Sequence, residues 1–581
     1  MSLVKWVQSG VLCLLLASLP LSVRGDSVAD LLLTNGKIIT VDAAFSIHSG
    51  IAVRGDRIVA VGDEKELRTY RGSNTRVIDL EGKTVLPGLI DSHTHPAAAC
   101  VTEFDHPIPT MESIADVLKY IQSRLEAVKP GDWIWVSQVF LTRLQEERYP
   151  TLQELDTVAP QNPAVFQTGP DASVNSLALR ACGIDENWKV TDGGPGYAEK
   201  DPQTGRLNGI LRGCTRYLKS AAAKKPTLDE HAAKLKELFA DYNRVGITGI
   251  GERDADAEEI RLYEKLHDEK QLTVRAFLSQ HVDTIPPIAA IREQIRAIAE
   301  SPWFKGDSYL RVGAAKTYMD GGMLTGSAYM RQPWGVSKTY GITDPEYRGV
   351  RFIPPDKLAD IIAACLENSV QYASHCVGDG AVHGFIDACE TLRGRYDIRA
   401  GRPVICHSNF MSEEAVRRAA DLGICADLQP AWLYLDSRTL TRHFGYERLA
   451  WFQPLRSLFA AGVMAGGGSD HMQKIGSLRA NNFYDPWLAM AVALTRHARW
   501  LDQPLHPEQA LSRVEVIRFY TINNAYLQFA ERDRGSLEPG KLADFILIDQ
   551  DPLTCPLDRI KDVQVLQTFV GGKAVYEKKN G

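Results

Sequence analysis

The sequence lacks three features that would each point to a particular class of protein. Cations do not outnumber anions, with 66 Lys and Arg against 72 Asp and Glu, and no basic cluster of the kind that binds nucleic acid phosphates stands out. The ten cysteines form no C-x-x-C motif. No apolar run reaches the roughly 20 residues that a membrane-spanning helix needs. The near-average content of hydrophobic residues, 44%, and charged residues, 24%, excludes disordered, collagen-like and coiled-coil chains.

Residues 1–25 have the organisation of a secretory signal. Lys5 precedes an apolar stretch, Val11–Leu21, which ends in Ser22-Val-Arg-Gly25. A short charged region, a brief apolar run and small residues at its exit are typical of a removable leader, whereas a frayed apolar N-terminus is the alternative. We therefore expect cleavage after Gly25 and export to the periplasm or the medium. The nine remaining cysteines are expected to be mostly buried free thiols.

The two ends of the chain have the same β-rich pattern. Residues 29–62 predict two β-hairpins, one around the Asn35-Gly36 turn and one around Gly55-Asp56. The C-terminal segment returns to short apolar strands such as Asp544-Phe-Ile-Leu-Ile. We predict a small β-sandwich domain built from residues 26–86 and 534–581.

The region between these ends, residues 87–533, alternates short apolar strands with amphipathic helices. Over this length the alternation predicts an α/β fold with a closed parallel (β/α)8 TIM-like barrel. Residues 104–225 do not fit one strand–helix unit, since they hold aromatic and Pro/Gly-rich pieces such as Asp132-Trp-Ile-Trp-Val. We interpret them as an insertion after the first barrel strand. Such an insertion lies over the active-site face as a substrate lid, or serves as a purely structural cover.

The segment Val85–Pro96 carries the most informative motif. An apolar run leads directly into His93-Thr-His95. Residues two apart on a strand face the same side, so both imidazoles point together and are suited to bind a metal. A His-x-His motif alone is weak evidence, but its position at the end of a buried strand strengthens it.

Three further predicted strands end in groups that a metal would use. His375 ends one, His407 ends another, and Asp470 follows the glycine-rich end of a third. Glycine allows the backbone to approach a site closely. Since the carboxyl ends of barrel strands meet at one mouth, these side chains are expected to converge with His93 and His95. Cys376 and Cys406 are expected to point the other way, towards the helices.

In this combination of motifs the chain resembles the amidohydrolase superfamily, in particular the branch of YtcJ-like hydrolases and N-substituted formamide deformylases. The resemblance extends from about residue 28 to 577. It is carried by Pro87-Gly-Leu-Ile-Asp-Ser-His93-Thr-His95-Pro, Lys316-x3-Asp320-Gly321, His375-x2-Gly378-Asp379, His407, Gly468-Ser469-Asp470, Asp156-x3-Pro160, Asn175-Ser176 and Arg534-Gly-Ser-Leu-Glu-Pro-Gly-Lys-Leu-Ala-Asp544.

The resemblance implies a barrel that holds one or two divalent metal ions, usually zinc. By analogy His93, His95 and Asp470 bind one metal, and His375 and His407 bind a second. Lys316 matches a lysine that bridges the metals in related enzymes, often as a carbamate, while an uncarboxylated lysine paired with Asp320 or with a substrate carboxylate is the alternative. The resemblance also makes a homodimer an expectation by analogy.

These residues predict hydrolysis of a non-peptide C–N bond, an amide or an N-substituted formamide, with Asp470 as the catalytic proton carrier. A cyclic amidase, a lactonase or a deaminase on the same metals is the enzymatic alternative, and a secreted binding protein on a degenerate barrel is the non-enzymatic one. The expected partner is a small-molecule substrate.

Other polar residues near these motifs are weaker candidates. Asp320, Asp379 and His471 are candidate substrate-binding residues, although Asp379 equally fits a loop-fixing role and His471 a packing role. Glu252 and His281 could also face the barrel mouth. The chain departs from the family at Cys406, where a Glu is common, and at Gly169-Pro-Asp171, where a Gly-His pair is common. These departures concern substrate specificity and leave the metal ligands intact.

Overall fold

A computed structural model of the protein describes residues 28–137, 139–219 and 225–579. The predicted secretory signal, residues 1–25, lies outside the described residues. Within these ranges no helix combines the length and the apolar character that crossing a membrane requires.

The chain begins with seven strands that form parts of two different sheets. They are β1 (Leu31–Thr34), β2 (Lys37–Ile39), β3 (Ile47–His48), β4 (Gly50–Arg54), β5 (Arg57–Gly62), β6 (Arg76–Asp79) and β7 (Thr84–Pro87), with helix α1 (Glu64–Leu67) between β5 and β6. The predicted hairpin around Gly55-Asp56 is confirmed, since β4 and β5 pair antiparallel. β1 pairs with β4 and β6 in a four-stranded sheet of order β5-β4-β1-β6.

The predicted hairpin around Asn35-Gly36 is wrong. β1 and β2 lie in different sheets, so the turn carries the chain from one sheet to the other. Asn35 has the left-handed φ of 55° that favours such turns. Gly36, however, is packed against the neighbouring layer, where an added Cβ would lie 2.2 Å from Leu80 Cδ1. The residues of a turn determine the local backbone conformation, whereas the pairing of the strands on either side depends on other parts of the chain.

Strand β8 (Leu89–Thr94) follows β7 almost directly and begins the barrel. Helix α2 (Pro96–Ala99) comes next. The insertion then contains α3 (Ile114–Leu125), β9 (Ile134–Ser137), α4 (Leu152–Val158), β10 (Ala164–Thr168), β11 (Asp171–Val174), α5 (Ser176–Ala181), β12 (Tyr197–Lys200) and β13 (Leu207–Arg212). Its five strands form one sheet in the order β12-β13-β11-β10-β9. The insertion therefore has a folded core of its own.

The barrel continues with strands that are each followed by one or more helices. The strands are β14 (Ile247–Ala255), β15 (Arg275–His281), β16 (Leu310–Tyr318), β17 (Gln371–Cys376), β18 (Val404–His407), β19 (Cys425–Leu428) and β20 (Ala465–Gly467). The helices are α6 (Leu228–Arg244), α7 (Ala257–Asp268), α8 (Ile288–Glu300), α9 (Pro355–Glu367), α10 (Asp379–Leu392), α11 (Ile398–Gly401), α12 (Glu413–Leu422), α13 (Pro430–Phe444), α14 (Leu455–Ala460), α15 (Pro486–Thr495), α16 (Arg513–Phe519) and α17 (Ile522–Leu527).

The eight strands β8 and β14–β20 form one parallel sheet whose ends meet. The backbone amide of Asp470 donates a hydrogen bond to the backbone carbonyl of His93 over 2.7 Å. Thr94 and His471 form an isolated parallel β-bridge. A Cβ on Gly468 would lie 2.9 Å from His93 Cβ. Glycine therefore permits this close approach of the last strand to the first.

Strands β21 (Phe545–Ile548), β22 (Val565–Val570) and β23 (Lys573–Glu577) return the chain to its beginning. β21 pairs antiparallel with β7 in a six-stranded sheet of order β23-β22-β21-β7-β2-β3. Leu33, Val85 and Phe569 belong to one buried cluster that packs this sheet against the four-stranded sheet. The predicted α/β fold, with a barrel, a β domain from both chain ends and an insertion after the first barrel strand, is confirmed; the residue boundaries given to these domains stay a prediction.

Candidate metal centre

Six predicted site residues line one cavity of about 900 Å³ at the carboxyl edge of the barrel: His93, His95, Lys316, His375, His407 and Asp470. Each lies at or just beyond the end of a barrel strand. Walls above them come from the insertion, through residues such as Phe140, Pro170 and Arg216. The structure thus brings together side chains that are hundreds of residues apart in the chain.

His93, His95 and Asp470 form the first group of converging donor atoms. Asp470 Oδ1 lies 3.2 Å from His95 Nε2 and 3.6 Å from His93 Nε2. His93 is fully buried, and within the described part of the chain its Nε2 has no hydrogen-bond partner. A buried polar atom without a partner is costly, and a bound cation would satisfy it. These three residues therefore fit a divalent metal.

His375 and His407 form the second group. Their ring centroids lie 4.6 Å apart, and His407 is equally close to His93. His407 Nδ1 donates to Gln429 Oε1 over 2.9 Å, and the ring stacks on Trp432. Because Nδ1 carries the proton, the Nε2 lone pair of His407 is free to bind a metal.

The end of β18 departs from regular strand geometry. His407 and Ser408 have φ values of 74° and 44°, in the left-handed region. The expectation that Cys406 faces the helices is wrong, because this residue packs with Ala373 and Cys425 in the barrel interior. The twist at His407 turns two consecutive side chains inward, which simple strand alternation does not allow.

Burial keeps three imidazoles of the candidate metal centre in their neutral form. Desolvation, together with the charge of Lys316, lowers the pKa of His375 to about 3. The pKa values of His93 and His407 are also held well below their usual range by burial. All three rings are therefore neutral near pH 7, the form that binds metal. Burial raises the pKa of Asp470, while its hydrogen bond with His95 acts in the opposite direction.

Lys316 is buried on β16, and its Nζ lies 5.2 Å from the centroid of the Tyr318 ring. Carboxylation of Lys316 stays a prediction. The Tyr318 hydroxyl donates to Asp254 Oδ2, and Asp254 Oδ1 lies 2.6 Å from His281 Nδ1. Asp254 has a φ of 93°, a conformation that a non-glycine residue adopts only when its surroundings enforce it.

The three candidate substrate-binding residues occupy different places. Asp320 lies at the cavity wall, where its carboxylate accepts the backbone N–H groups of Tyr329, Val377 and Gly378 over 2.8–3.0 Å. These bonds hold two loops together. Burial nevertheless raises the pKa of Asp320 to about 8.

Asp379 and His471 are not among the described residues that line the cavity. Asp379 accepts the backbone N–H of Arg331. His471 Nδ1 lies 2.7 Å from the Tyr242 hydroxyl, and its Nε2 donates to two backbone carbonyls. Asp379 thus makes a loop-fixing contact and His471 makes packing contacts, while a substrate-binding role for either residue stays a prediction.

Asp427 is a buried residue that sequence reasoning missed. Its Oδ1 lies 3.1 Å from His93 Nδ1. The available signal was a carboxylate within an otherwise apolar strand, Cys425-Ala-Asp-Leu. An aspartate in an apolar strand is fully buried only when another group pairs with its carboxylate.

A parallel barrel with histidines and an aspartate at the carboxyl edge of its strands is typical of barrel enzymes that use a bound metal ion. A model of the amidohydrolase family matches residues 76–576, and the chain belongs to this family. It is 29% identical to the N-substituted formamide deformylase of Arthrobacter pascens, over 94% of this chain and 98% of the relative. It is 26% identical to Protein LONG AFTER FAR-RED 3 of Arabidopsis thaliana, over 94% of this chain and 92% of the relative.

Among solved structures, the chain is similar to a metal-dependent hydrolase from Pyrococcus horikoshii. The TM-score is 0.65 at 19% sequence identity, over 91% of this chain and 99% of the other. This likeness shows the fold. The predicted family resemblance is confirmed.

Proposed function

We propose that this protein hydrolyses a non-peptide C–N bond, in an amide or an N-substituted formamide. The observation that carries the proposal is the convergence of His93, His95 and Asp470 on one cavity, where His93 Nε2 has no hydrogen-bond partner among the described residues. The printed name of the Arthrobacter relative supports the substrate class.

His93, His95 and Asp470 would hold one divalent metal, which we propose to be zinc. His375 and His407 would hold a second, with Lys316 as a bridging carbamate. When bound, such a cation makes water nucleophilic near neutral pH and polarises the scissile carbonyl. Neutral imidazoles and a carboxylate are the donor set that zinc prefers in catalytic sites.

Asp470 is the residue placed to carry the proton. Its Oδ1 lies between His93 and His95, and its Oδ2 accepts a hydrogen bond from Asn482 over 3.2 Å. A carboxylate whose pKa is raised by burial accepts a proton more readily than an exposed carboxylate does, which suits a group that takes up a proton and passes it on. Asp470 would take the proton from the attacking water and deliver it to the leaving nitrogen.

The cavity walls favour an apolar substituent on the substrate. Phe140 and Pro170 from the insertion face Leu324 and Phe352 from the barrel loops. Trp432 is stacked on His407 and adds an aromatic surface beside the ligands. Such walls bind an alkyl or aryl group and keep bulk water from the site.

The test is a hydrolysis screen of N-formyl, N-acyl and cyclic amides with protein of known metal content. We expect turnover that is lost on chelation and restored by added metal. Asp470→Asn should lower kcat by on the order of 10²- to 10⁴-fold, the usual contribution of a proton-transfer group. Asp307→Asn, on the surface beside His267, is the control. Activity that survives both chelation and Asp470→Asn would refute the proposal.

We also propose that the protein is exported and acts as a homodimer. The composition of residues 1–25 supports export, and the dimer is proposed by analogy with the family. Light scattering of the purified protein tests the dimer, and a mass of one chain would exclude it.

A further inference from the structure

A layer of buried polar residues lies in the barrel interior directly behind the candidate ligands. Its centre is Asp427 on β19, which is fully buried. Three groups surround its Oδ1 atom: His93 Nδ1 at 3.1 Å, the backbone N–H of His407 at 3.1 Å and Gln429 Nε2 at 3.0 Å. One carboxylate oxygen thus contacts a histidine of each ligand group.

The same layer determines which ring nitrogen of each histidine faces the cavity. A carboxylate only accepts hydrogen bonds, so His93 must present Nδ1–H to Asp427. The Nε2 lone pair of His93 then faces His95 and Asp470. Gln429 extends the arrangement, since it donates to Asp427 and accepts from His407 Nδ1. The hydrogen bonds therefore select, in both rings, the tautomer that a metal requires.

Arg253 on β14 provides the counter-charge. It is fully buried, with Nη2 3.7 Å from Asp427 Oδ2. Its Nε and Nη1 donate to the Ser92 carbonyl at 3.1 Å and to the Ser279 hydroxyl at 2.9 Å, so Nη2 is held towards Asp427 as a charge partner without a hydrogen bond to it. A buried carboxylate needs such a partner, because an uncompensated charge in the interior is strongly destabilising.

We propose that Asp427 is a positioning residue that orients His93 and His407 for metal binding, with Arg253 as its counter-ion. The inference rests on the proposed metal-dependent function. Asp427 acts through the two histidines and touches neither the substrate nor the reacting atoms.

The alternative is that Asp427 itself binds the metal. One donor atom each from His93, His407 and Asp427 lies within 4.8 Å of the others. However, the backbone N–H of His407 and the amide N–H of Gln429 both point at Asp427 Oδ1. A cation at that oxygen would meet the positive ends of these two dipoles. Oδ1 therefore accepts hydrogen bonds and is unsuited to a cation, and Oδ2 faces the positive guanidinium of Arg253 at 3.7 Å.

The experiment measures the dissociation constant of zinc by competition with a chromophoric chelator, for the full mature chain and its variants. Asp427→Asn retains a hydrogen-bond acceptor and loses the charge, and we expect about 10-fold weaker zinc binding. Asp427→Ala loses both, and we expect a loss approaching about 100-fold, the upper end of the usual effect of such partners. Gln429→Met, which removes the acceptor of His407, should weaken zinc binding in the same direction.

Asp544→Asn is the matched control. Asp544 is also a buried aspartate paired with a buried arginine, Arg275, but it lies in the β domain. We expect this variant to lose stability and to keep the zinc affinity of the wild type. A purely structural role of Asp427 predicts instead that its variants behave like the control.

The outcomes separate the two proposals. Wild-type protein that binds no zinc would refute the proposed function. Wild-type protein that binds zinc, with Asp427→Asn and Gln429→Met both within about twofold of it, would refute the positioning role. If Asp427→Asn does not fold, Gln429→Met alone decides, since it leaves the Asp427–Arg253 pair in place.

Discussion

Asn482 binds Asp470 through its side-chain amide, which donates to the main-chain carbonyl over 2.7 Å and to Oδ2 over 3.2 Å. The side-chain oxygen of Asn482, Oδ1, in turn accepts a hydrogen bond from Arg143 Nη1 over 3.0 Å. Arg143 belongs to the insertion and also forms a bidentate pair with Asp436 on α13. The insertion is therefore connected to the proposed proton carrier through a single intervening residue.

Asn482→Ala should lower kcat, and because Asn482 is fully buried it should also lower the free energy of unfolding. A hydrogen bond to a charged group contributes about 1.5–3 kcal/mol, which corresponds to a loss of roughly 10- to 100-fold in rate. Steady-state kinetics on the substrate found in the screen measure this loss. Asn481→Ala is the control, because Arg143 binds only the backbone carbonyl of Asn481. Equal kcat in the two variants would contradict the prediction.

Arg212→Met should destabilise the contact between the insertion and the barrel loops. Arg212 is buried, donates to the carbonyls of Thr325 and Tyr340, and pairs with Glu199. Removal of the cation leaves the carboxylates of Glu199 and buried Asp171 without their counter-charge, at a cost of about 3–5 kcal/mol. The urea midpoint should fall clearly. Arg206→Met, an exposed change before the same strand, should leave the midpoint unchanged, and similar shifts in both would disprove the argument.

The Asp254–His281 pair should make stability depend on pH. The hydrogen bond to Asp254 raises the pKa of His281 above 6.5. The pair therefore contributes fully below pH 6.5, and its contribution is lost as the pH rises through the raised value. His281→Gln should cost more unfolding free energy at pH 6 than at pH 9. The difference should stay below about 1 kcal/mol, because the imidazole is partly exposed.

Urea denaturation of wild type and His281→Gln at both pH values measures this difference. In an Asp254→Asn background the pH dependence of the substitution should disappear, since the neutral amide no longer favours the imidazolium. A cost that grows towards pH 9 would have the wrong sign for this explanation.

The leader should be removed on export. Expression of the full chain in a bacterial host should give a mature protein that begins at Asp26, as read by N-terminal sequencing of the secreted or periplasmic fraction. Deletion of residues 2–25 should retain the protein in the cytoplasm. A mature protein that still begins at Met1 would contradict this prediction.

The proposed ligands could be identified from the sequence because each lies at the end of an apolar strand. The rule that strand ends meet at one barrel mouth needs no knowledge of the distances between them, and it applied to His93, His375 and Asp470. The family motifs then added Lys316, which no local pattern distinguishes.

Features that depend on distant partners could not be predicted. Asp427 is separated from His93 by most of the barrel, and nothing in its own strand shows that an imidazole lies opposite. The inward turn of His407 beside Cys406 depends on left-handed φ values at His407 and Ser408, where no glycine marks them. The sheet change at Asn35-Gly36 follows from the pairing of β1 with β4 and β6 and of β2 with β3 and β7, which the turn itself does not show.

The pairing of β7 with β21 also determines when the molecule can finish folding. β7 runs directly into the strand that carries His93, yet its neighbour in the sheet is synthesised hundreds of residues later. Until residues 545–548 arrive, this edge has unsatisfied backbone groups, and long-range strand pairing of this kind is slow. The six-stranded sheet can therefore be completed only after all eight barrel strands have been synthesised. Completion of this sheet thus reports that the whole barrel segment is present.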